Sequence, residues 1–519
     1  MNRISKDIED IERLEEIVEE VAHHGFNILI KKLDLESHLH FHYRVMSSDV
    51  NGPEEFRELL EELGTVFIKL GQILAERPDL VPENYRKELE KLEYDVEKID
   101  YSRIEEIIEE EIGLEKFDSI DEEPLASASI AQVHRAKYNG EDVVLKVRKP
   151  GIKEVVERDL DILEKCADYG GKHIGKMKSM SVLKFVKEFS GWTRQELDFE
   201  REAENAKLFK ENTADDEKIK VPEVYGEVST KKVLTLEYVE GVKCTDLEKL
   251  EELDIDTEEI AATAVRAGMK QSIRDGFYHA DPHPSNFLIT EEGELVYLDF
   301  GMMGSISQDQ SRKLGLMLLY LIRENSSDIV DVMEDLGTVS NDYNRAGVEQ
   351  VVEQKTRVLS NSSLKQVSVT KEMFDLFVKA SENGLQMPSS LTLMGKSLVT
   401  TEGIGLTICP DFRITDEYEE TAEDLLKQQN SPEDIAKDFS IDLIKNKDLI
   451  AKLPSKINRA LKTEQKQPVK VIQEDNSNDH IMPAALLIGA TVLFYQVLPA
   501  EQMAVIGALE MLAAVYLLR

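Results

Sequence analysis

The sequence predicts an α+β fold of two lobes, preceded by a helical extension and followed by a helical hairpin. Three observations carry that prediction. A strand pattern over 142–148 places one lysine, Lys146, among Val143, Val144, Leu145 and Val147, and a long helical pattern follows it. A loop holding Asp281 and Asn286 leads through a hairpin signal, TEEGE, into an apolar strand that ends at Asp299-Phe300-Gly301. Two apolar runs, 481–498 and 503–518, close the chain.

Composition sets the bounds. At 519 residues the chain exceeds one ordinary core, so two or three packed units are expected. Apolar residues make up 41%, enough for globular folding. With 63 basic against 102 acidic residues the formal charge is −39, which repels phosphate backbones and argues against a nucleic-acid partner. Cys166, Cys244 and Cys409 lie far apart with no CxxC pair, so neither a disulfide framework nor a zinc site is expected. The first twenty residues are charged and helix-like, without the apolar centre of a signal peptide.

Five segments follow from the pattern. Residues 1–118 form a helical extension; 119–240 mix short strands with one long helix; 241–430 carry the Asp281 loop and then helices; 431–480 hold a basic amphipathic helix and a linker; 481–519 form the hairpin. No internal repeat stands out.

In the first lobe, Lys146 alone reads as an edge-strand charge. The segment LKFVKEFSGWTRQELDFEREAENAKLFKE, taken as one helix, offers Glu196, Asp198, Glu202 and Glu204 as its partners. In the kinase plan a strand lysine contacts the nucleotide phosphates and is positioned by a helix glutamate. The second lobe strengthens that reading. Asp281 and Asn286 stand in the D-x-x-x-x-N spacing, with Asp281 as the base and Asn286 as a metal ligand. Asp299 adds a carboxylate, and two such oxygen ligands suit magnesium. The prediction is therefore a two-lobed, protein-kinase-like fold that binds ATP and Mg. A rival reading takes His279, Asp281 and His283 as an H-x-D-x-H metallohydrolase set. It leaves Asn286 and Asp299 unexplained, and the two histidines read better as hydrogen bonders that shape the loop.

The C-terminal third is read against a membrane. From Lys445 to Lys470 eight basic residues face two acidic ones, and Leu449, Leu453, Ile457 and Leu461 recur every four positions. This helix is either a solvated basic face or one held against anionic lipid. The apolar runs after it, about 27 Å and 24 Å as helices, favour lipid and read as a transmembrane hairpin, the alternative being a buried hairpin closing a soluble core. Glu510 carries a cost in mid-membrane, while Gly489, Ala490, Gly507 and Ala508 allow close helix contact. The lysines before the first run and Arg519 put both ends on the cytoplasmic side, anchoring the body to the cell membrane.

Over roughly residues 50 to 430 the chain resembles the UbiB/ADCK (AarF-like) atypical kinase-like proteins. FIKLGQILAERPDLVP contains that family's K-x-G-Q signature at Lys69, Gly71 and Gln72. PLASASIAQVH looks like its alanine-rich loop, QELDFEREAEN resembles its E-x-D element at Glu196 and Asp198 with the lysine-pairing Glu202 after it, and HADPHPSN and LDFG match its catalytic segments. The resemblance implies that Ala126, Ser127, Ala128 and Ser129 meet the nucleotide, through backbone N–H groups and hydroxyls but without glycine's freedom at positive φ. It implies too that the Lys69 helix, whose face Gln72 shares, packs over the site and obstructs a protein substrate. Glu196 and Asp198, two apart, are expected to find different partners, whereas Asp198 and Glu202 share a face. KVLTLEYVEGVKC fits the strand and hinge between lobes, with the backbone near Glu237 and Val239 reading the adenine edge and Val133 and Val144 covering its faces.

Departures narrow the function. Ala280 stands where kinases have the arginine of His-Arg-Asp, Ser285 where the family has glycine, and no Ala-Pro-Glu follows Gly301. A peptide-docking platform is not expected. The resemblance implies Mg-dependent ATP hydrolysis or phosphotransfer to a small or lipid-like molecule, in support of isoprenoid quinone or prenyl-lipid metabolism. Two alternatives stay open: a nucleotide-gated protein that binds or presents a lipid without phosphorylating it, and a protein kinase.

Overall fold

The computed structural model describes residues 3–26, 52–75, 81–92, 98–173, 182–322, 325–340, 342–361 and 368–412, with 414, 417, 418 and 421. One compact unit covers residues 1–423, and the second, 424–519, lies outside the described residues. The predicted basic helix, linker and transmembrane hairpin therefore lie outside them too. Among the described residues, no helix is long and apolar enough to cross a membrane.

The extension contributes α1 (Arg3–His23), α2 (Pro53–Leu63), α3 (Thr65–Ala75) and α4 (Glu83–Leu89). Leu59, Leu60 and Leu63 of α2 and Val66 and Phe67 of α3 are buried in a core that continues through the first lobe to Phe287 and Phe300 of the second. Arg13 of α1 bonds the buried Asp159 at 2.9 Å and the Leu63 carbonyl at 2.7 Å, so a charged clamp adds to the apolar contact.

α5 (Tyr101–Glu111) belongs by packing to the first lobe rather than to the extension. Asp100 caps it by accepting from the Ser102 N–H, and Ile104, Ile107 and Ile108 form a stripe at helical spacing. That stripe packs on Val143, Leu145 and Val147, one face of the lobe's sheet. The sheet comprises β1 (Ser119–Ile120), β2 (Ala126–Ser127), β3 (Ala131–Tyr138), β4 (Glu141–Arg148) and β6 (Val233–Glu237), in the order β1-β3-β4-β6 with β2 also on β3. β3 and β4 are joined by Asn139-Gly140 at φ 52° and 82°, the two-residue turn that matches strand twist.

α6 (Ile152–His173) follows, then α7 (Val182–Glu196) and α8 (Phe199–Asn212). The sequence reading of 183–211 as one helix is corrected here. Leu197 and Asp198 donate three residues back, to Arg194 and Gln195, which tightens and ends α7, and Asp198 is extended at φ −111°, ψ 96°. Leu197 and Phe199 are both buried, so apolar anchors flank the break and hold it.

In the second lobe β5 (Ile219–Lys220), β7 (Val242–Lys243), β9 (Phe287–Ile289) and β10 (Leu295–Tyr297) pair in the order β5-β10-β9-β7. β5 thus joins the second lobe's sheet although it precedes residue 241. Helices α9 (Leu247–Glu252) and α10 (Thr257–Met269) lead to β8 (Phe277–His279), which pairs with β11 (Met303–Ser305). The pairing His279↔Met303 brings the 280–286 loop and residues 299–301 to one end of the lobe. α11 (Gln308–Ile322), α12 (Ser326–Leu336), α13 (Arg345–Asn361), α14 (Val369–Glu382) and α15 (Ser389–Ile408) complete it, with the short pair β12 (Thr338–Val339) and β13 (Leu385–Gln386).

Candidate active site

Strand alternation decides which side chains enter the cleft. On β4 Val143, Leu145 and Val147 are buried against α5, so Val144, Lys146 and Arg148 take the opposite face. The register Val133↔Lys146 puts Val133 on that face as well. The structure thus gathers Val133, Val144 and Lys146, as the sequence pattern requires.

Lys146 then reaches two carboxylates. Its Nζ lies 2.6 Å from Glu202 Oε1 and 3.0 Å from Asp299 Oδ1. Burial disfavours the ammonium, but Asp299 and Glu202 outweigh it and hold Lys146 above its ordinary pKa. Burial raises Asp299 too, yet Lys146 dominates and keeps that carboxyl well below the usual range. Glu202 goes the other way. Burial, helped by the Asp299 charge, pushes it up to about 7 against the pull of Lys146. Gly301 lies among these groups: a Cβ there meets Asp299 Oδ1 at 3.3 Å, Glu196 Cγ at 3.7 Å and Glu202 Oε2 at 3.8 Å.

The break between α7 and α8 is what lets Glu196 and Glu202 converge. Glu196 forms an ion pair with Lys69 of α3. Burial raises the Glu196 pKa, Lys69 opposes this, and Asp299 and Asp281 add to it. Asp198 faces elsewhere, with Oδ2 3.4 Å from Lys231, so Glu196 and Asp198 do have different partners. The expected shared face of Asp198 and Glu202 is not formed, because Asp198 precedes α8 in an extended conformation. Gln72 does not join Lys69 at the site; its amide donates to the Leu92 carbonyl at 3.2 Å. Gly71 admits the close approach of that segment, since a Cβ there meets Leu92 Cδ1 at 2.4 Å and Leu60 Cδ1 at 2.7 Å.

The loop is built around a neutral histidine. His279 Nε2 lies 2.6 Å from the Asp299 carbonyl and must donate, while Nδ1 accepts from the Asp281 N–H at 3.2 Å. One donor and one acceptor define the neutral ring, consistent with burial lowering its pKa. His283 Nδ1 accepts from the Ser285 N–H and lies 2.7 Å from its hydroxyl. Both histidines therefore shape the loop, and the H-x-D-x-H metal reading has no ring nitrogen of His279 left for a metal. Asn286 donates to the Asp281 carbonyl at 3.3 Å, and the Leu298 N–H donates to the Asn286 carbonyl, coupling the loop to Asp299. Ala280, fully buried, fills the place of the missing arginine.

The loop of Ala126, Ser127, Ala128 and Ser129 is a tight hairpin, closed by Ala126↔Val133, Ser127↔Gln132 and a 2.8 Å bond from Ala128 N–H to the Ala131 carbonyl. Among the described residues, Asn139 and Asp254 are the non-glycines at positive φ, so this turn closes without glycine's freedom. Ser127 Oγ is buried with no hydrogen-bond partner. At the hinge the expectation is corrected in one respect. The Glu237 N–H already donates to the Glu223 carbonyl at 2.9 Å and its carboxylate binds Lys220, so that N–H is not available to a base edge. Val239 is buried beside it.

One charged residue at the site was not found from sequence. Lys396 of α15 places Nζ 3.5 Å from Asp281 Oδ1. Burial raises the Asp281 pKa, but Lys396 and then Lys69 outweigh it and hold the carboxyl low. The available signal was compositional: Lys396 and Glu402 are the charged residues in the twenty of α15.

A lysine clasped by a helix glutamate and the Asp of Asp-Phe-Gly, with an Asp…Asn loop below it, defines a kinase-like protein. Residues 91–333 match the ABC1 atypical kinase-like domain and 356–413 the UbiB helical domain. An uncharacterized protein of Synechocystis is 36% identical over 69% of this chain and 62% of its own length. One from Clostridium pasteurianum, encoded in the hydrogenase 1 5′ region, is 33% identical over 78% of this chain and 74% of its own. "Probable protein kinase UbiB" of Shewanella woodyi is 28% identical over 94% of each. The chain thus belongs to the ABC1/UbiB family of atypical kinase-like proteins, and it spans 62% of the Synechocystis relative's length.

Proposed function

We propose that the chain is a membrane-anchored, Mg-dependent ATPase or phosphotransferase acting on a small or lipid-like molecule, in support of isoprenoid quinone or prenyl-lipid metabolism. The observation that carries the phosphoryl reading is Lys146 held between Glu202 and Asp299. Such a lysine presents fixed positive charge to nucleotide phosphates. Val133, Val144 and the hinge at Glu237 and Val239 frame the base, and the hairpin from Ala126 to Ser129 covers the phosphates.

The donor set fits magnesium. Asp299 and the side-chain oxygen of Asn286 are hard ligands, the Asp299 side chain is 39% exposed toward the cleft, and Glu202 Oε2 is a buried carboxylate oxygen with no hydrogen-bond partner. When bound, the ion offsets phosphate charge. Asp281, kept ionised by Lys396 and Lys69, takes the proton of the attacking hydroxyl or water. The Lys69–Glu196 pair, made from the extension, disfavours a protein substrate by closing the site from above. The family resemblance supplies the quinone and prenyl-lipid class, and the apolar runs at 481–498 and 503–518 support the anchor.

Purified chain with Mg-ATP, with and without liposomes, is expected to release phosphate, and Asp299→Asn to abolish the release. No turnover above that variant sinks the enzymatic reading and leaves nucleotide-gated lipid binding. Label transferred mainly to added proteins revives the protein kinase.

A further inference from the structure

Away from the cleft, two helices of the extension bring two imidazoles and two carboxylates to one point. Glu20 and His23 lie three apart at the end of α1, and His24 follows four after Glu20, so the three share a face. The fourth group is Glu62 of α2. One ligand atom from each of the four lies within 4.8 Å of all the others. His24 Nε2 is 3.1 Å from Glu62 Oε2, and His23 Nδ1 is 3.7 Å from Glu20 Oε2.

The backbone beneath these side chains is fixed. The His24 N–H donates to the Glu20 carbonyl at 3.0 Å, continuing the helix, and Gly25 at φ 81° ends it, with the Phe26 N–H donating back to the Val21 carbonyl at 2.9 Å. The Phe26 ring then packs edge-on against Phe56 of α2 at 5.9 Å. Two like-charged carboxylates thus meet on a chain of formal charge −39, an arrangement that a cation between them relieves. Ion pairing with the histidines alone is a weak substitute, since pairs this open to water are worth little.

The donor chemistry selects the cation. Magnesium and calcium take oxygen ligands, whereas two imidazole nitrogens with two carboxylate oxygens suit a borderline ion such as zinc. Tetrahedral zinc at about 2.0–2.1 Å from each ligand holds the ligand atoms about 3.4 Å apart, so only the ends of these side chains need to close in. His24 is 8% exposed and forms the floor, while Glu20, Glu62 and His23, at 40%, 50% and 65%, leave the way in open to solvent. The cysteine pattern, which argued against zinc, does not bear on a set without cysteine.

We infer that Glu20, His23, His24 and Glu62 form a site for a divalent transition-metal ion of the zinc type, which staples α1 to α2. Through Gly64, α2 leads directly into α3, whose Lys69 pairs with Glu196, so the staple steadies the element that covers the cleft. The inference is independent of whether the cleft turns over ATP.

The test titrates chelator-treated full-length protein with zinc chloride by calorimetry, with magnesium held at about 1 mM to fill sites made of oxygen alone. Wild type is expected to bind one zinc with a Kd of about 1 μM or tighter, and to gain Tm on binding. His24→Gln and Glu62→Gln should each weaken binding by at least about tenfold and lose the Tm gain. Asp299→Asn should bind zinc as wild type does. Absence of saturable binding in wild type overturns the inference, as do unchanged affinities in His24→Gln and Glu62→Gln. Zinc lost from Asp299→Asn but kept by His24→Gln places the ion in the cleft and overturns it too. If His24→Gln melts early without metal, the exposed His23→Gln decides by the same tenfold criterion.

Discussion

Replacing Lys146 by methionine tests the electrostatics of the cleft most directly. The unbranched stem is kept to within one atom, but Glu202 and Asp299 lose the cation 2.6 Å and 3.0 Å away. Orphaning a fully buried charge costs about 3–5 kcal/mol. Two features reduce that here. Glu202 titrates at about 7 even with Lys146 present, so without it the carboxylate escapes by taking a proton. Asp299 is 39% exposed, so water screens its share. A loss of about 1–2 kcal/mol at neutral pH remains. The pH dependence has a definite sign. Without Lys146 the folded-state pKa of Glu202 rises further above its unfolded value of about 4.3. The folded variant then holds a proton that the unfolded chain releases; the stability tied to it is complete below the unfolded pKa and lost as pH rises through the folded one. In metal-free buffer the Tm gap between wild type and Lys146→Met should therefore stay nearly level below about pH 6 and widen as pH rises through about 7 to about 8.5. A gap that stays constant or narrows refutes the reasoning.

Two further outcomes are expected. Lys69→Met leaves the half-buried Glu196 facing Asp281 and Asp299 without its cation, and should cost about 2 kcal/mol in urea unfolding; adding Glu196→Gln should restore at least half of that, and simple additivity of the two losses would show the pair to be uncoupled. Removing residues 481–519 should move the chain from the membrane fraction to the supernatant, and unchanged retention on membranes refutes the proposed anchor.

The parts of the site legible in the sequence are those whose geometry is local. Asp281 and Asn286 lie in one short loop, and Asp299 comes just past the end of the hairpin's second strand, so spacing alone brings them together once the hairpin closes. Lys146 is similarly legible, because alternation on β4 leaves one face for Val144 and Lys146 whatever the other face packs on. The break after Glu196 was not legible: QELDF carries no glycine or proline, and the stop depends on Leu197 and Phe199 both finding buried places. The hinge expectation missed at Glu237 for a related reason, since its N–H is claimed by residue 223, on a segment that a strand pattern does not register.

Chemistry and order along the chain, then, follow from the sequence by itself: a lysine strand, an acidic helix, an Asp…Asn loop and Asp-Phe-Gly. Tertiary structure alone decided which charges meet. Lys69 pairs with Glu196 across 127 positions, Lys146 with Asp299 across 153, and Lys396 with Asp281 across 115. Periodicity assigns a side chain to a face of its own element, but the partner across the cleft depends on how the elements cross, which is set by packing of the apolar core.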